Sequence, residues 1–347
     1  MMIDVLTLPF DQYGRYTIVR DAIAAMRPAV GAKLRILDIG GHFRTRRGID
    51  VLPAQLFLPD DVVTVVDRID LNLPGYVRGD GRGLAFPDAS FDVVISCDTL
   101  EHIPSADRAS FWDELLRVAR AGVLLIAPDG TPRTVAAERL LLSFIRAELG
   151  HGQPQLEEHA AFGLPTRAQN VALLAARGVR FAERPSGDID TWLAMMLVRH
   201  TPDLGGDVNF IEQLDAYYNA ELAVADRCDP AYRRLYLVEK AGGWLDAATN
   251  ALAPTAAAVR IDWGSGVNIL LASRQLRAEE RRRVQDAALL ETIHAQRAEI
   301  AWRAEQVTHL DARAAWLDQQ LAAVRHEHDA LRNGRVMRLL TRKRRTR

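Results

Sequence analysis

The sequence predicts an α/β fold built on a doubly wound, mainly parallel sheet. Four short segments are continuous runs of Val, Ile and Leu, which is typical of strands buried on both faces of a parallel sheet. Segments with helical spacing lie between them. Repeated strand–helix units imply right-handed crossovers and a ligand crevice at the carboxyl ends of the strands. The predicted strands are Leu34–Ile39, Val62–Asp67, Val93–Cys97 and Gly122–Ile126.

The helices follow from apolar residues at helical spacing. Tyr13–Met26 shows this spacing and is predicted to pack on the sheet ahead of the first strand. Arg108–Ala121 is the clearest helix between two strands. Beyond Gly130 the pattern is looser. There we predict helices over Val135–Leu149 and Thr166–Arg177, a helical insertion over Ile189–Leu222, and strands at Gly178–Pro185 and Arg233–Glu239.

Composition changes along the chain and predicts four regions. We expect a globular domain over residues 1–241, a linker over 242–269, a coiled coil over 270–333 and a basic tail over 334–347. The coiled coil is predicted from apolar residues at the a and d positions of a heptad, and we expect it to form a homo-oligomer. The a positions are Ile293, Ile300, Val307, Ala314 and Leu321, and the d positions include Leu310, Leu317, Val324 and Leu331.

Charge is unevenly distributed over the 347 residues, although the formal net charge is −1. From Arg274 onward there are 17 basic and 10 acidic residues, so the part before it is acidic. An acidic globular domain without a basic groove argues against nucleic-acid binding. The basic tail is suited to peripheral contact with an anionic membrane surface, although a solubilising tail would have the same composition.

Cysteine usage and the N-terminus indicate a cellular location. Cys97 and Cys228 are the only cysteines, which argues against a disulfide framework and favours a reducing compartment. The N-terminus lacks a signal-peptide pattern, and no apolar run is long enough to span a bilayer. We therefore predict a cytoplasmic protein, with peripheral contact at the inner membrane face through the tail.

Four signals between Leu34 and Pro104 occur in one order. The first strand ends in Asp38-Ile39-Gly40-Gly41, and the second ends at Asp67. Gly79-Asp80-Gly81 then forms a turn, and a third strand runs into Asp98 and Leu100-Glu101-His102. Together these signals resemble the class I S-adenosylmethionine-dependent methyltransferases, specifically the branch with a Leu-Glu-His turn. The resemblance implies a Rossmann-like sheet that ends in an antiparallel pair, here Gly178–Pro185 and Arg233–Glu239.

The resemblance also implies a role for each motif residue. S-adenosylmethionine would lie over the glycines at the first strand end, with Asp38 facing its positively charged methionine end. Asp67 would accept hydrogen bonds from the ribose hydroxyls, Asp80 would accept one from the adenine amine, and Asp98 would line the crevice. The cofactor-binding residues are thus expected to be Asp38, Gly40, Gly41, Asp67, Asp80, Gly81 and Asp98.

One segment departs from the family pattern. The first loop continues as His42-Phe43-Arg44-Thr45-Arg46-Arg47 instead of with further glycines. Relatives with degenerate loops include inactive ones, so an inactive scaffold is one alternative. A dinucleotide site is disfavoured because Gly-x-Gly-x-x-Gly is absent and the segment from Gly40 to Asp67 is longer than the roughly 20 residues expected.

Histidines are the candidates for acid–base chemistry. The pKa of an ordinary histidine lies near neutrality, which suits removal of a proton from a hydroxyl acceptor. His102 and His159 are therefore the candidate catalytic residues, although the resembled branch carries the Leu-Glu-His turn across many substrates, which favours a structural role for His102. A good nucleophile would need only alignment with the methyl group, so a base is not obligatory. The spacing of Cys, His and Asp predicts no metal site.

The sequence therefore predicts transfer of a methyl group from S-adenosylmethionine to an oxygen acceptor. The methyltransferase motifs, coiled coil and basic end together resemble bacterial enzymes that modify cell-surface polysaccharides at the inner membrane face. That resemblance implies a glycan hydroxyl acceptor in polysaccharide or O-antigen biosynthesis. The alternatives are a small-metabolite methyltransferase and an inactive methyltransferase-like scaffold in a glycan assembly complex.

Overall fold

The structure is a computed structural model, and it describes residues 3–201, 205–253, 263–334 and 338. The chain divides into two units, Met1–Asn268 and Ile269–Arg347. The first unit contains the sheet and its helices. The second contains most of one long helix, Trp263–Asn333.

The first unit is built around a seven-stranded sheet, as the sequence predicts. The strand order is β5-β4-β1-β6-β7-β9-β8, in which β9 pairs antiparallel with both β7 and β8 and the remaining pairs are parallel. The predicted antiparallel pair is thus confirmed. The strands of this sheet are β1 (Arg35–Ile39), β4 (Val62–Asp67), β5 (Tyr76–Arg78), β6 (Phe91–Cys97), β7 (Ala119–Pro128), β8 (Arg180–Asp188) and β9 (Ala231–Glu239).

Helices cover both faces of this sheet. Alternate residues of each central strand point to opposite faces, so Ile36 packs in one apolar cluster and Leu37 in another. A third cluster joins the helices that follow β7 to the insertion before β9. The described α-helices of the first unit are α1 (Phe10–Val30), α2 (Pro53–Phe57), α3 (Arg108–Val118), α4 (Pro132–Leu149), α5 (Pro154–Phe162), α6 (Arg167–Ala176), α7 (Ile189–Arg199), α8 (Val208–Glu221) and α9 (Leu245–Ala251). Helix α10 (Trp263–Asn333) lies mostly in the second unit.

The first loop contains a short hairpin that the sequence did not predict. Strands β2 (Phe43–Arg44) and β3 (Asp50–Val51) pair antiparallel. The side chain of Phe43 is partly buried and packs against the cluster that contains Ile36. The bulky residues that replace the family's glycines therefore form a structured element.

The predicted linker begins too early. Gly242 and Gly243 have φ values of +105° and +67°, a left-handed turn that glycine adopts without strain. The chain then places Trp244 in the core, where its indole N–H donates to the carbonyl oxygen of Ala121 at 3.1 Å. Helix α9 follows, so residues 242–253 belong to the folded unit. Residues 254–262 of the predicted linker lie outside the described residues.

The long helix α10 carries the predicted heptad positions. From residue 281 to 333 its side chains are almost all exposed, including the apolar ones such as Val307, Leu310 and Leu317. Of the predicted basic tail, residues 335–337 and 339–347 lie outside the described part of the chain. No helix within the described ranges is long and apolar enough to cross a membrane.

Candidate functional site

A cavity of about 670 Å³ opens at the carboxyl ends of β1, β4 and β6. This is where a doubly wound sheet places its ligand crevice. Its lining includes eight of the nine residues predicted for the site: Gly40, Gly41, Asp67, Asp80, Gly81, Asp98, His102 and His159. The ninth, Asp38, lies behind Gly41. His151 is exposed and lies outside this lining.

Asp38 is fully buried at the end of β1. Its Oδ2 accepts a hydrogen bond from the hydroxyl of Tyr16 at 2.8 Å, whereas Oδ1 has no partner among the described residues. A Cβ at Gly41 would approach Asp38 Oδ2 to 1.9 Å. The absence of a side chain at residue 41 therefore keeps this carboxylate close to the cavity wall.

Burial changes the ionisation of this carboxylate. Desolvation raises the pKa of Asp38 to about 7, although the hydrogen bond from Tyr16 acts in the opposite direction. A positive charge placed nearby would favour the ionised form. The carboxylate at the first strand end is therefore poised to respond to a cationic ligand.

Asp67 and Asp80 lie on neighbouring parts of the cavity wall but differ in their partners. Asp67 Oδ1 accepts from the backbone N–H of Arg68 at 2.6 Å. Asp80 is bound by the guanidinium of Arg82, with Nη2 at 2.7 Å from Oδ2, and this hydrogen bond lowers the pKa of Asp80. Asp67 thus retains more hydrogen-bonding capacity for a ligand than Asp80 does.

The glycine turn after β5 brings backbone close to the apolar wall. A Cβ at Gly81 would meet both Ile39 Cγ2 and Phe111 Cε2 at 2.7 Å. Gly40 has a φ of +76°, and a Cβ there would approach Thr99 Oγ1 to 2.2 Å. Both glycines are therefore required by the geometry of the wall itself.

Asp98 joins two arginines beneath the cavity. It has a φ of +51° at the end of β6. Its Oδ2 lies 2.5 Å from Nη1 of Arg15 and 2.6 Å from Nη2 of Arg233. Burial alone would raise the pKa of Asp98, but the charges of Arg15 and Arg233 hold it below its ordinary value. The carboxylate of Asp98 thus forms a buried ion triad with Arg15 and Arg233.

Glu101, His102 and His159 meet at one end of the cavity. The Nε2 atoms of the two histidines are 3.4 Å apart. Their Nδ1 atoms face carboxylates: that of His102 lies 2.7 Å from Glu158 Oε2, and that of His159 lies 3.0 Å from Glu138 Oε1. One ligand atom from each of Glu101, His102 and His159 lies within 4.8 Å of the others. Residues 57 positions apart in sequence are therefore brought together.

The three groups influence one another's ionisation. Burial, followed by the nearby Asp98, raises the pKa of Glu101 to about 8. Burial, followed by the charge of His159, lowers the pKa of His102. For His159, burial acts to lower the pKa, but the hydrogen bond with Glu138 and the nearby Glu101 raise it overall. His159 is thus the more basic of the two imidazoles.

Several residues of the site were not predicted. Tyr16 and Arg15 come from α1, Arg233 comes from β9, and Glu138 comes from α4. Each contact joins segments that are distant in sequence. One sequence signal could have indicated Arg15: it lies on the helix face that also carries the buried residues Ile18, Val19 and Ala22.

Residues 36–127 match the family model described as a methyltransferase domain. This segment covers β1 through β7 and contains the strand-end carboxylates and Glu101-His102. This segment of the chain is therefore similar to methyltransferase domains. The match ends before His159 and Glu138, which complete the histidine cluster.

Two curated proteins are similar over parts of the chain. A 2-methyl-6-phytyl-1,4-hydroquinone methyltransferase from Synechocystis is 46% identical over 109 residues, which are 30% of this chain and 30% of that protein. A phthiotriol/phenolphthiotriol dimycocerosates methyltransferase from Mycobacterium ulcerans is 42% identical over 69 residues, which are 19% of this chain and 25% of that protein. The chain thus spans less than a third of either relative.

A solved structure is also similar. The plantazolicin methyltransferase BpumL in complex with S-adenosylhomocysteine is 12% identical, with a TM-score of 0.40, and covers 65% of this chain and 84% of that chain.

Proposed function

We propose that this protein transfers a methyl group from S-adenosylmethionine to an oxygen acceptor. The observation that carries the proposal is the pairing of Asp38 with Gly41. The buried Asp38 carboxylate lies directly behind residue 41, where a side chain would collide with it, and its Oδ1 has no partner within the described part of the chain. Such a recess accepts a positively charged group that approaches the backbone closely, which fits a sulfonium with its attached amino acid.

Each part of the cofactor would find a matching part of the wall. Asp67 Oδ2 is suited to accept from the ribose diol, because the backbone N–H of Arg68 bonds to the other oxygen. Gly81 and the apolar side chains beside it offer a flat surface for adenine, with Asp80 at its edge. When bound, S-adenosylmethionine supplies an activated methyl group on its sulfonium.

The histidine cluster would act on the acceptor. His159 is held by Glu138, which also accepts from the hydroxyl of Tyr232 at 2.6 Å. His102 is held by Glu158. Fixed imidazoles at the edge of the cavity are suited to orient an acceptor hydroxyl and accept its proton. An oxygen acceptor needs this help, whereas a stronger nucleophile needs alignment alone.

The other side of the cavity is basic, which favours an acceptor that carries an anionic group. Its lining includes the arginines Arg44, Arg46 and Arg68. Arg46 donates to the carbonyl oxygens of Arg199 and Gly205, so its guanidinium is held in place. Guanidinium groups suit phosphate recognition. A glycan bearing a phosphate, as in a lipid-linked sugar, therefore fits the cavity and the predicted role in polysaccharide biosynthesis.

A small aromatic or lipid acceptor is the second candidate. The two curated relatives are named as methyltransferases of a hydroquinone and of a lipid. Trp192 and Met196 in the cavity lining would contact such an apolar acceptor. Turnover with phosphorylated sugars, compared with turnover with hydroquinones and long-chain alcohols, separates the two acceptor classes.

Calorimetric titration with S-adenosylhomocysteine tests the cofactor assignment. We expect one binding site per chain and, in Asp67→Ala, an affinity lower by about tenfold or more, because a charged hydrogen bond contributes about 1.5–3 kcal/mol. Asp60→Ala, at an exposed aspartate outside the cavity lining, is the control and should bind as the unaltered protein does. A protein that binds no S-adenosylhomocysteine would instead support the inactive-scaffold alternative.

The long helix α10 is proposed to join copies of the chain as a coiled coil. Val307, Leu310, Leu317 and Leu321 follow the heptad and are each about half exposed or more in the single chain. A second copy of the same helix would cover this stripe. Removal of residues from 267 onward should reduce the mass measured by light scattering to that of one shortened chain. An unchanged number of chains per particle would refute the coiled coil.

A further inference from the structure

The two histidines face each other in an arrangement that neutral imidazoles alone do not satisfy. An ionised carboxylate can only accept, so the Nδ1 atoms that face Glu138 and Glu158 both donate. The Nε2 atoms of the neutral rings then present lone pairs to each other across 3.4 Å. Such a contact is stabilised by a positive charge between the nitrogens, either a proton or a metal ion.

Glu101 distinguishes between these two possibilities. Its side chain is 1% exposed, and its Oε2 has no hydrogen-bond partner in the described part of the chain. A proton shared by the histidines would leave this buried oxygen unpaired, which costs free energy. A metal ion would bind all three groups. The nearby guanidinium of Arg233 does not pair with Glu101, because it forms an ion pair with Asp98.

The distances agree with a tetrahedral ion. Zinc binds imidazole nitrogen at about 2.0–2.1 Å, so two nitrogens on one tetrahedral ion are separated by about 3.4 Å. The separation of Nε2 atoms in the protein is 3.4 Å. The ligand atom of Glu101 lies within 4.8 Å of the others, so it would need to move inward by up to about 1.5 Å to bind at the usual Zn–O distance.

The surroundings have the features of a metal site beyond the ligands themselves. Metal-bound histidines usually donate their second N–H to a carboxylate, which orients the ring and raises its basicity. Glu158 and Glu138 occupy this position for His102 and His159. Both carboxylates also add negative charge around the space between the rings. Two imidazoles and one carboxylate form a donor set that suits first-row divalent ions.

We propose that Glu101, His102 and His159 bind a first-row divalent cation of the zinc type, with the remaining coordination position open to the cavity. This metal site is a property separate from methyl transfer, because the cation can bind whether or not the cofactor is bound. With the ion bound, the histidines hold it, and this replaces the role of proton acceptor that the proposed function gives them when no ion is bound. An acceptor hydroxyl bound at the open position would lose its proton to solvent more readily, since the ion stabilises the alkoxide.

Metal titration of the untagged full-length protein tests the site. The protein is stripped with a chelator and titrated with Co²⁺, whose visible absorption reports coordination, and then with Zn²⁺ by calorimetry. We expect one ion per chain at the site and an affinity lower by about tenfold or more in His159→Gln and Glu101→Gln, because each loses a ligand. Mg²⁺, which prefers all-oxygen sites, should not compete. His151→Gln, an exposed histidine outside the cavity lining, should match the unaltered protein.

Other metal ligands and misfolding are controlled separately. His326 and His328 on α10 are exposed and present in every variant, so they cannot cause a difference between variants. Circular dichroism checks that each variant is folded, and Zn²⁺ should raise the melting temperature of the His151→Gln protein but not that of His159→Gln. Equal Co²⁺ binding by His159→Gln and the unaltered protein, or no stoichiometric binding by either, overturns the proposal.

Titration of the same samples with S-adenosylhomocysteine separates this proposal from the proposed function. A protein that binds S-adenosylhomocysteine but no Co²⁺ refutes the metal site alone. A protein that binds Co²⁺ at Glu101, His102 and His159 but no S-adenosylhomocysteine refutes the cofactor assignment and leaves the metal site standing.

Discussion

The two ends of the cavity are built in different ways. At the cofactor end, Asp38, Asp67 and the adjacent glycines follow directly from strands β1, β4 and β5. At the histidine end, His102 follows β6, but His159 comes from α5 and its partner Glu138 from α4. The first end depends on local strand geometry. The second depends on how the helices after β7 pack on the sheet.

This difference predicts that the two ends can be disabled separately, and the largest effect is expected at the histidine end. His159→Gln removes the more basic imidazole and, if the ion is present, one of its ligands. We expect turnover to fall by about 100-fold or more, in the range typical of acid–base groups. The affinity for S-adenosylhomocysteine should stay within about threefold, since we propose that the strand ends, and not this residue, align the cofactor. Steady-state rates and calorimetry measure the two quantities.

His151→Gln is the matched control for this change. Both substitutions remove an imidazole from the same region of the chain, but only His159 lines the cavity. Turnover should be unchanged in the control. Equal loss of cofactor affinity and turnover in His159→Gln would show that the two ends are coupled.

The next largest effect is expected at the cofactor end. Gly41→Ala places a Cβ where Asp38 Oδ2 lies 1.9 Å away, so the carboxylate or the loop must shift. We expect the affinity for S-adenosylhomocysteine to fall by about 30-fold, or about 2 kcal/mol, within the range of large single-residue effects. Calorimetry measures the affinity, and Co²⁺ binding should be unchanged.

Gly83→Ala is the control for the added methyl group. A Cβ at Gly83 meets no atom within 4 Å, and this glycine does not line the cavity. The affinity of Gly83→Ala for S-adenosylhomocysteine should match that of the unaltered protein. If Gly41→Ala also retains full affinity, the recess beside Asp38 is not the sulfonium site.

A smaller contrast is expected between the two carboxylates on the adenosine side. Asp67→Asn should weaken S-adenosylhomocysteine binding by about tenfold, because a charged acceptor for the ribose is lost. Asp80→Asn should weaken it by less than about threefold, because the Asp80 carboxylate is already bound by Arg82. Calorimetry on both variants measures the contrast. A larger loss in Asp80→Asn than in Asp67→Asn would show that Asp80 makes the main contact with the cofactor.

The same division explains what the sequence could predict. The strand ends were predicted because a continuous apolar run such as Val62–Asp67 specifies both the strand and the residue that ends it. Asp38 was expected to face the ligand, and its burial behind Gly41 could be seen only in three dimensions. Trp244 lay in a segment rich in glycine and alanine, so composition alone predicted a linker.

The histidine cluster illustrates the limit of motif spacing. Glu101 and His102 are adjacent, and His159 is 57 residues beyond His102, a separation that no short metal-binding motif contains. The sequence therefore predicted no metal site. Only the packing of α5 near the Leu100–His102 turn places the three donors together. Arg15 and Arg233 are also distant in sequence and meet at Asp98 only in the folded domain. Motif spacing therefore could not have linked them.

A separate effect, on stability and its pH dependence, is expected at the cofactor end. The pKa of Asp38 is raised to about 7 in the folded protein, above its ordinary value of 3.8. The folded state therefore holds the proton more tightly than the unfolded state does. The contribution of Asp38 to the free energy of unfolding is greatest below about pH 4 and falls as the pH rises towards 7. Asp38→Asn, which is neutral throughout, should remove that slope.

Chemical denaturation of the ligand-free protein between about pH 5 and pH 8 measures this change. Relative to the unaltered protein, Asp38→Asn should be more stable at both pH values, and its advantage should be larger by roughly 2–3 kcal/mol at about pH 8 than at about pH 5. Asp60→Asn, at an exposed position, should not alter the slope. The stabilised variant should nevertheless bind S-adenosylhomocysteine no more tightly, and S-adenosylmethionine more weakly, because only the latter carries the sulfonium charge. Asp38→Asn could gain stability at the higher pH and yet keep the ratio of its affinities for S-adenosylmethionine and S-adenosylhomocysteine. That result would show that the buried carboxylate does not recognise the sulfonium.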